Sequence, residues 1–246
     1  MLNENKIMVL IPTYNEEKSI GQVIRGVRKS LPQADIVVVD GESSDSTEEI
    51  ARKLEVIILK VPHSLGIGGG VETGFSFADL RRYDMVVRVD GDGQHSPNQI
   101  PRLMQPILNG KADVTIGSRY IGAGDYKASL SRTLSIKLFS LIISAIIRQK
   151  ITDATSGFQV VNRRVIEFLS RSYFFDYSEV EAIVLLRKVG FKILEIPVSM
   201  EKRTQGSSSF TFVRAFYYIF TGVLLLLISL LREKTLRRDK EDVFAN

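Results

Sequence analysis

The chain of 246 residues contains no cysteine, and this absence excludes several functions at once. Disulfide bridges, zinc sites built from thiolates and catalysis by a cysteine nucleophile are all ruled out. A chain without disulfides fits the reducing conditions of the cytosol. The N-terminus also lacks a charged segment followed by an apolar one, so we expect no signal peptide. Internal repeats, low-complexity tracts and a clear linker are absent as well.

What is present fits one sizeable α/β domain, with or without an appendage. The hydrophobic content of 44% and the mean hydropathy of +0.06 suit a globular protein with some additional apolar surface. The formal net charge of +5 is modest, and we expect no nucleic-acid partner.

Short apolar runs alternate with helical patterns over the first half of the chain. The runs cover residues 6–12, 36–39, 56–59, 85–89 and 114–116. This alternation is typical of βαβ units and predicts a mostly parallel sheet flanked by helices. Such sheets bind ligands at the carboxyl ends of their strands. Polar residues follow three of these runs, at positions 13–16, 40–45 and 90–95.

The acidic segment after the fourth run, within VRVDGDGQHSP, is the first candidate site. Asp90 and Asp92 are two residues apart on an extended backbone, so their carboxylates can converge on a Mg²⁺ or Mn²⁺ ion. Gly91 allows a ligand to approach the backbone, Gln94 could add an oxygen ligand and His95 a nitrogen. The alternative is a plain turn, since Asp and Gly are common in turns. A calcium loop is excluded, because no Glu stands at its twelfth position.

The two other strand ends suggest a nucleoside site. In VVVDGESSDST, Asp40 could accept hydrogen bonds from a base or ribose, with Asn15 or Glu16 of IPTYNEE contacting the same nucleoside. The alternative for the serine-rich part is helix capping, which explains Asp45 or Ser46 well.

These segments together resemble the inverting family 2 glycosyltransferases, which have the A-type glycosyltransferase fold. The resemblance rests on IPTYNEE, VVVDGESSDST, VRVDGDGQHSP and IGSRY, and it spans roughly residues 6–210. The SR pair at 131–132, DATSGF at 153–158 and RTQGSS at 203–208 are similar to the dolichyl- and polyprenyl-phosphate sugar synthases. Two positions depart from the pattern. Gly41 replaces a usual second acid, and Ser209 replaces a lysine of the mannose synthases.

The resemblance implies a role for each matching residue. The nucleotide-sugar set comprises Pro12, Tyr14, Asn15, Glu16, Asp40, Asp90, Gly91 and Asp92. The metal set comprises Asp92 and Gln94, with support from Asp90. The acceptor-phosphate set comprises Arg119, Arg132, Arg203 and Ser207, and its three arginines join Asp90 and Asp92 as the catalytic residues. Guanidinium groups match phosphate oxygens, although a surface charge is the alternative for any single arginine.

The acceptor is expected to be a lipid phosphate. A hydroxyl acceptor needs a carboxylate base, whereas a phosphate is already ionised at neutral pH. The region 176–181 lacks the Glu-Asp pair that hydroxyl-directed relatives usually have. Asp153 could orient the acceptor region, with a helix cap or turn as the alternative.

Two apolar stretches predict contact with a membrane. Residues 134–147 are almost wholly apolar, and residues 216–231 carry no charge and precede the basic string REKTLRRDK. A helix of the second stretch is roughly 24 Å long, short of the roughly 30 Å hydrocarbon layer, so interfacial insertion is favoured over spanning. A buried core helix is the alternative for each stretch.

We therefore expect a catalytic domain over residues 1–209, with an apolar interfacial segment at 132–148, and a membrane-associated helix and basic tail over residues 210–246. The expected location is the cytoplasmic face of a membrane, with a small membrane partner or a homo-oligomer as possible assemblies. The remaining alternatives are transfer to a hydroxyl of a lipid-linked saccharide, a nucleotide-sugar pyrophosphorylase and an inactive scaffold. The pyrophosphorylases, however, have a glycine-rich GxGxRx start with a lysine after their first strand, and this chain lacks it.

Overall fold

The structure is a computed structural model that describes residues 5–121, 140–171 and 179–200. Seven strands of these residues form one sheet in the order β3-β2-β1-β4-β6-β5-β7. The strands are β1 (Ile7–Thr13), β2 (Asp35–Asp40), β3 (Ile57–Lys60), β4 (Met85–Arg88), β5 (Val114–Ser118), β6 (Gln159–Asn162) and β7 (Ile193–Pro197). All neighbouring pairs are parallel except those of β6, which runs antiparallel to β4 and β5.

The first five strands confirm the apolar runs read from the sequence, within two residues at each end. β6 and β7 were not predicted. The helices are Ile20–Ser30, Thr47–Lys53, Gly66–Leu80, Ile100–Leu108, Arg163–Arg171 and Glu179–Val189, and residues 140–147 are also helical.

Successive residues of the strands face opposite sides of the sheet, and each side carries a hydrophobic core within the described part of the chain. Met8, Leu10 and Val86 face one core, whereas Val9, Ile11 and Val87 face the other. The first core includes the helices Gly66–Leu80 and Arg163–Arg171, and the second includes Ile20–Ser30 and Ile100–Leu108. Helices on both faces explain why the strands are continuous runs of Val and Ile rather than alternating sequences.

The apolar segment expected at the membrane is partly described. Within its helical residues 140–147, Ile143 and Ile147 are buried in the first core, while Leu141 is 67% exposed. One face of this stretch therefore belongs to the protein core. The segment 132–139 and the tail 210–246 lie outside the described residues. Among the helices that the structure describes, none has the length and apolar character needed to cross a membrane.

Candidate active site

The carboxyl ends of β2, β1 and β4 lie side by side, because these strands are neighbours in the sheet. The acidic segment after β4 passes close to the end of β1. A Cβ atom built on Gly91 would lie 2.7 Å from Cγ2 of Thr13, so a side chain here would clash. The hydroxyl of Ser19 donates to the carbonyl oxygen of Gly91 over 2.7 Å, which ties the segment to the start of the first helix. The predicted meeting of these strand ends is confirmed.

Hydrogen bonds within the acidic segment fold it into a compact turn. The backbone N–H of Asp90 donates to Nδ1 of His95 over 3.0 Å, and that of Gln94 donates to Oδ1 of Asp92 over 3.0 Å. Gly93 has a φ of 78°, a left-handed conformation that favours glycine. The segment is thus a turn, and the same turn presents the carboxylate of Asp92, which is only half-buried. The turn and metal interpretations are compatible.

His95 is a structural part of this turn. Its side chain is 4% exposed, and its ring stacks on Phe158 with centroids 4.9 Å apart. Its Nδ1 accepts the N–H of Asp90, while Nε2 lies 3.7 Å from Oδ2 of the same residue. Burial lowers the pKa of His95 below its ordinary value, although the carboxylates of Asp90 and Asp92 act in the opposite direction. Both ring nitrogens therefore face Asp90, which leaves the expected metal-ligand role of His95 without support.

Asp90 lies among positive charges. Burial raises its pKa, but its interactions with His95, Arg88 and Arg119 together outweigh burial and hold the pKa below its ordinary value. The nearest fixed cation is Arg88, whose guanidinium nitrogen lies 3.5 Å from Oδ1 of Asp90. Asp90 therefore lies as a carboxylate beside the Arg88 guanidinium.

Arg88 was not identified as a candidate from the sequence. Its side chain is 4% exposed and donates to Oε1 of Glu179 over 2.6 Å, at the start of the helix Glu179–Val189. A charged residue inside the buried run VVRV was the signal that could have revealed it, because buried charges are usually paired. The pair Arg88–Glu179 connects this helix to the acidic segment.

The nucleoside end of the site is more enclosed than expected. Asp40 is 1% exposed, and it accepts hydrogen bonds from the backbone N–H of Ser43 over 3.0 Å and from the Ser43 hydroxyl over 2.6 Å. Asn15 joins the same loop, since its N–H donates to Oγ of Ser43 and its Oδ1 accepts the N–H of Ser44. Asp40 therefore organises the loop after β2 in this structure. Pro12 is buried on β1, where it pairs with Val39 of β2.

Tyr14 is an exposed aromatic residue at this end. Its side chain is 43% exposed, and its ring stacks on His63 with centroids 4.4 Å apart. Glu16, the other nucleoside candidate in this loop, has its backbone N–H bound to the hydroxyl of Thr47 over 2.7 Å. The Tyr14–His63 stack forms an aromatic surface at the carboxyl end of β1.

Arg119, after β5, is held in a buried ion pair. Asp153 accepts the Nε–H and one terminal N–H of Arg119 over 2.6 Å each, and its backbone N–H over 3.1 Å. The Arg119 guanidinium also donates to the hydroxyl of Thr155. This arrangement joins two sequence candidates, Arg119 and Asp153. The other acceptor-phosphate candidates, Arg132, Arg203 and Ser207, lie outside the described residues.

Within the described residues, no group of three or more histidine or acidic side chains is arranged to hold a metal ion. The protein ligands expected here are the two carboxylates, Asp90 and Asp92, and the amide oxygen of Gln94. Such an oxygen set fits a hard cation that takes further ligands from phosphate oxygens.

Comparisons with known proteins agree with this architecture. A model of the family described as "Glycosyl transferase family 2" matches residues 8–169. The chain is 30% identical over 215 residues to an undecaprenyl-phosphate mannosyltransferase of Micrococcus luteus, covering 82% of this chain and 86% of that protein. It is 28% identical over 240 residues to a UDP-N-acetylglucosamine–dolichyl-phosphate N-acetylglucosaminyltransferase of Methanococcus voltae, covering 89% and 95%.

A solved structure shares the fold. The glucosyl-3-phosphoglycerate synthase of Mycobacterium tuberculosis, determined with Mn²⁺, UDP and phosphoglyceric acid, superposes with a TM-score of 0.69 at 20% identity. The match covers 92% of this chain and 78% of that one. The family match excludes the pyrophosphorylase alternative and confirms the resemblance read from the motifs. The chain therefore belongs to glycosyl transferase family 2, and within it is similar to the polyprenyl-phosphate sugar synthases.

Proposed function

We propose that this enzyme transfers a hexose from a nucleotide diphosphate sugar to a polyprenyl phosphate, with inversion at the anomeric carbon and with bound Mg²⁺ or Mn²⁺. One observation carries the proposal: Asp153, which binds the Arg119 guanidinium, and Gly157, which packs against Asp90, lie on the same short segment, so this segment joins Arg119 to the acidic residues. A fixed cation beside paired carboxylates suits a reaction in which one phosphate group leaves and another arrives. The names of the two lipid-phosphate transferases above support this acceptor class.

The donor binds along the ends of β1, β2 and β4. The exposed ring of Tyr14 offers a stacking surface for the base, and the loop that carries Pro12, Asn15, Glu16 and Asp40 encloses the nucleoside. Gly91 lets the acidic segment pack closely against Thr13 at the end of β1. Asp92 and Gln94 hold the cation, and Asp90 supports it from the buried side. When bound, the cation neutralises charge on the departing diphosphate.

The acceptor phosphate binds on the Arg119 side. Asp153 fixes the orientation of the Arg119 guanidinium through two of its N–H groups. Arg132, Arg203 and Ser207 complete the phosphate site in this proposal. An ionised phosphate oxygen attacks the anomeric carbon as the bond from that carbon to the nucleoside diphosphate breaks, so the reaction requires no general base.

A hydroxyl acceptor is the competing substrate, and it requires a carboxylate base. Glu179 is a carboxylate in the region where such a base is expected, but it accepts a 2.6 Å hydrogen bond from Arg88. The Arg88 guanidinium therefore already occupies one oxygen of this carboxylate. This contact supports the phosphate acceptor.

The membrane part of the proposal concerns the segment 132–148 and the tail 210–246. We propose that they seat the enzyme on the cytoplasmic face of a membrane, where a polyprenyl tail lies, alone, as a homo-oligomer or with a small membrane partner. Basic residues that flank an apolar helix favour an anionic leaflet. Recovery of the full chain as a wholly soluble protein after detergent-free, high-salt fractionation contradicts this part.

The direct test is a substrate panel. Purified full-length protein is incubated with Mn²⁺ or Mg²⁺, a series of UDP- and GDP-sugars, and polyprenyl phosphate, and a chloroform-soluble sugar is measured. We expect product with one donor class, and loss of product when EDTA replaces the metal. Parallel reactions contain a lipid-linked saccharide. Product with this hydroxyl acceptor alone overturns the proposed acceptor, and no transfer to any acceptor favours the inactive scaffold.

A further inference from the structure

We propose that Glu195, on β7, is a positioning residue that sets Arg119 in the active site. It acts through the short segment formed by Thr152 and Asp153. The proposal rests on the proposed function, because it takes Arg119 as the acceptor-phosphate arginine. The carboxylate of Glu195 accepts hydrogen bonds from two backbone N–H groups and one hydroxyl.

The carboxylate of Glu195 fixes two consecutive N–H groups. The N–H of Thr152 lies 2.9 Å from both oxygens, and the N–H of Asp153 donates to Oε1 over 2.8 Å. The hydroxyl of Thr152 lies 3.1 Å from both oxygens as well. Hydrogen bonds to an ionised acceptor are about twice as strong as neutral ones. Glu195 therefore holds the backbone of Thr152 and Asp153, together with Ser140, whose hydroxyl donates to the carbonyl oxygen of Thr152.

Asp153 transmits that position to Arg119. Its side chain is fully buried and accepts three hydrogen bonds from Arg119, two from the guanidinium and one from the backbone. A bidentate contact of this kind fixes the plane of a guanidinium as well as its location. Displacement of the Asp153 backbone therefore turns the Arg119 fork.

The same segment continues to the acidic site. Five residues after Thr152, Gly157 packs against Asp90, and Phe158 stacks on His95. Residues 152–158 thus connect the proposed acceptor arginine to the proposed metal carboxylates. Glu195 binds the first two residues of this segment, Thr152 and Asp153.

The surroundings of Glu195 disfavour the ionised form of its carboxyl group. Burial raises the pKa of Glu195, and the nearby charge of Asp153 acts in the same direction against the hydrogen bonds from Thr152 and Asp153. Acidic side chains whose pKa is shifted by burial are commonly found at functional sites. The structural alternative is that Glu195 only fastens the edge strand β7 to its neighbours, and the experiment separates the two.

The first variant, Glu195→Gln, keeps an oxygen acceptor on a side chain of the same length. The second, Glu195→Asp, keeps the charge on a side chain that is one methylene group shorter. Leu194→Ala, on the same strand and 41% exposed, is the control. We expect Glu195→Gln to retain kcat/KM for the lipid phosphate within about threefold, and Glu195→Asp to lose roughly 10- to 100-fold, as partners that orient site residues typically do. Leu194→Ala retains wild-type kcat/KM.

A double-mutant cycle shows whether the loss acts through Arg119. In an Arg119→Lys background the bidentate contact is gone, so Glu195→Asp has little further effect on kcat/KM if the two residues act as one unit. Losses that simply multiply, or a Glu195→Asp enzyme with wild-type kcat/KM and a lowered unfolding temperature, overturn the proposal.

A spectroscopic readout is independent of the reaction. In protein with isotope-labelled arginine, the Nε–H of Arg119 is expected to give a shifted, slowly exchanging NMR signal because of its bond to Asp153. We expect Glu195→Gln and Leu194→Ala to keep this signal, and Glu195→Asp to lose its protection from exchange. An unchanged signal in Glu195→Asp overturns the positioning role. If no glycosyl transfer is found but the signal responds as expected, the proposed function fails while the positioning role stands.

Discussion

Gly157 packs directly against Asp90, since a Cβ atom built on this glycine would lie 2.7 Å from Oδ2 and 2.8 Å from Oδ1 of the carboxylate. The same Cβ would lie 3.1 Å from a guanidinium nitrogen of Arg88. The glycine therefore provides the space in which the Asp90–Arg88 contact forms. These close contacts explain why position 157 is a glycine.

The first prediction is that Gly157→Ala displaces Asp90 and lowers activity. The added methyl group cannot fit without a shift of the carboxylate or of the 152–158 segment. Displacement of a site group by about 1 Å commonly costs roughly 100-fold in rate, so we expect a loss of that order in kcat/KM. Steady-state kinetics measures it, and circular dichroism checks that the variant is folded. Activity within twofold of wild type contradicts the assignment of Asp90 to the site.

The second prediction concerns the metal. Asp92→Asn is expected to reduce metal-dependent transfer by at least about 100-fold, because a neutral amide oxygen replaces a charged ligand of the cation. The loss is measured over a Mn²⁺ titration in the presence of the nucleotide. The unfolding temperature is expected to stay close to wild type, since Asp92 is only half-buried.

Asp84→Asn is the matched control for Asp92→Asn. Asp84 is exposed at the opposite end of β4, where it accepts the N–H of Lys6 over 2.8 Å. It carries the same charge change far from the acidic segment, and we expect wild-type transfer. Equal activities of the two variants would falsify the metal assignment.

The sequence predicted the parts of the fold that local pattern determines. β1 to β5 are continuous apolar runs between helical patterns, and the carboxyl ends of β2, β1 and β4 meet as expected because these parallel strands are neighbours in the sheet. β6 was missed because it has four residues, QVVN, and enters the sheet antiparallel between β4 and β5. β7 was missed because Glu195 and Pro197 interrupt its apolar pattern.

In the site, too, some contacts could be predicted from the sequence and others could not. The proximity of the acidic segment to the end of β1 followed from strand order, whereas the contacts of Arg88 with Glu179 and of Asp153 with Glu195 join residues far apart in the chain. Spacing alone carries no signal for such pairs. The burial of Asp40 was missed for a local reason, since Ser43 satisfies its carboxylate from within the same loop.

The third prediction is a pH dependence of stability at Asp45. Partial burial raises its pKa, but hydrogen bonds from the hydroxyl and N–H of Thr47 and the N–H of Glu17 lower it below the ordinary value of 3.8. A carboxyl whose pKa is lowered on folding stabilises the protein above its unfolded pKa, and this stabilisation is lost as the pH falls through the folded value. Asp45→Ala is therefore expected to cost about 1 kcal/mol at neutral pH.

This deficit of Asp45→Ala is expected to shrink as the pH falls below about 4, because the wild-type carboxyl then becomes protonated too. Urea unfolding at a series of pH values measures it. Ser46→Ala is the control, because the Ser46 side chain makes no capping hydrogen bond within the described part of the chain. A deficit that is constant down to pH 3 contradicts the assigned role of the Asp45 charge.

The fourth prediction has the opposite sign and concerns Glu195. Its pKa is raised on folding, chiefly by burial, above the ordinary value of 4.5. The folded state therefore binds this proton more tightly than the unfolded state does, and the stabilisation is present at low pH and lost as the pH rises through the folded pKa.

Glu195→Gln removes the titrating group but keeps an acceptor for the two N–H groups. We expect the free energy of unfolding of wild type relative to this variant to fall as the pH rises from about 4.5 towards neutrality. Urea unfolding of the two proteins across this range is the measurement, with Leu194→Ala expected to follow the wild-type profile. A difference between wild type and Glu195→Gln that rises with pH would mean that the hydrogen bonds to Thr152 and Asp153 outweigh the burial of the charge.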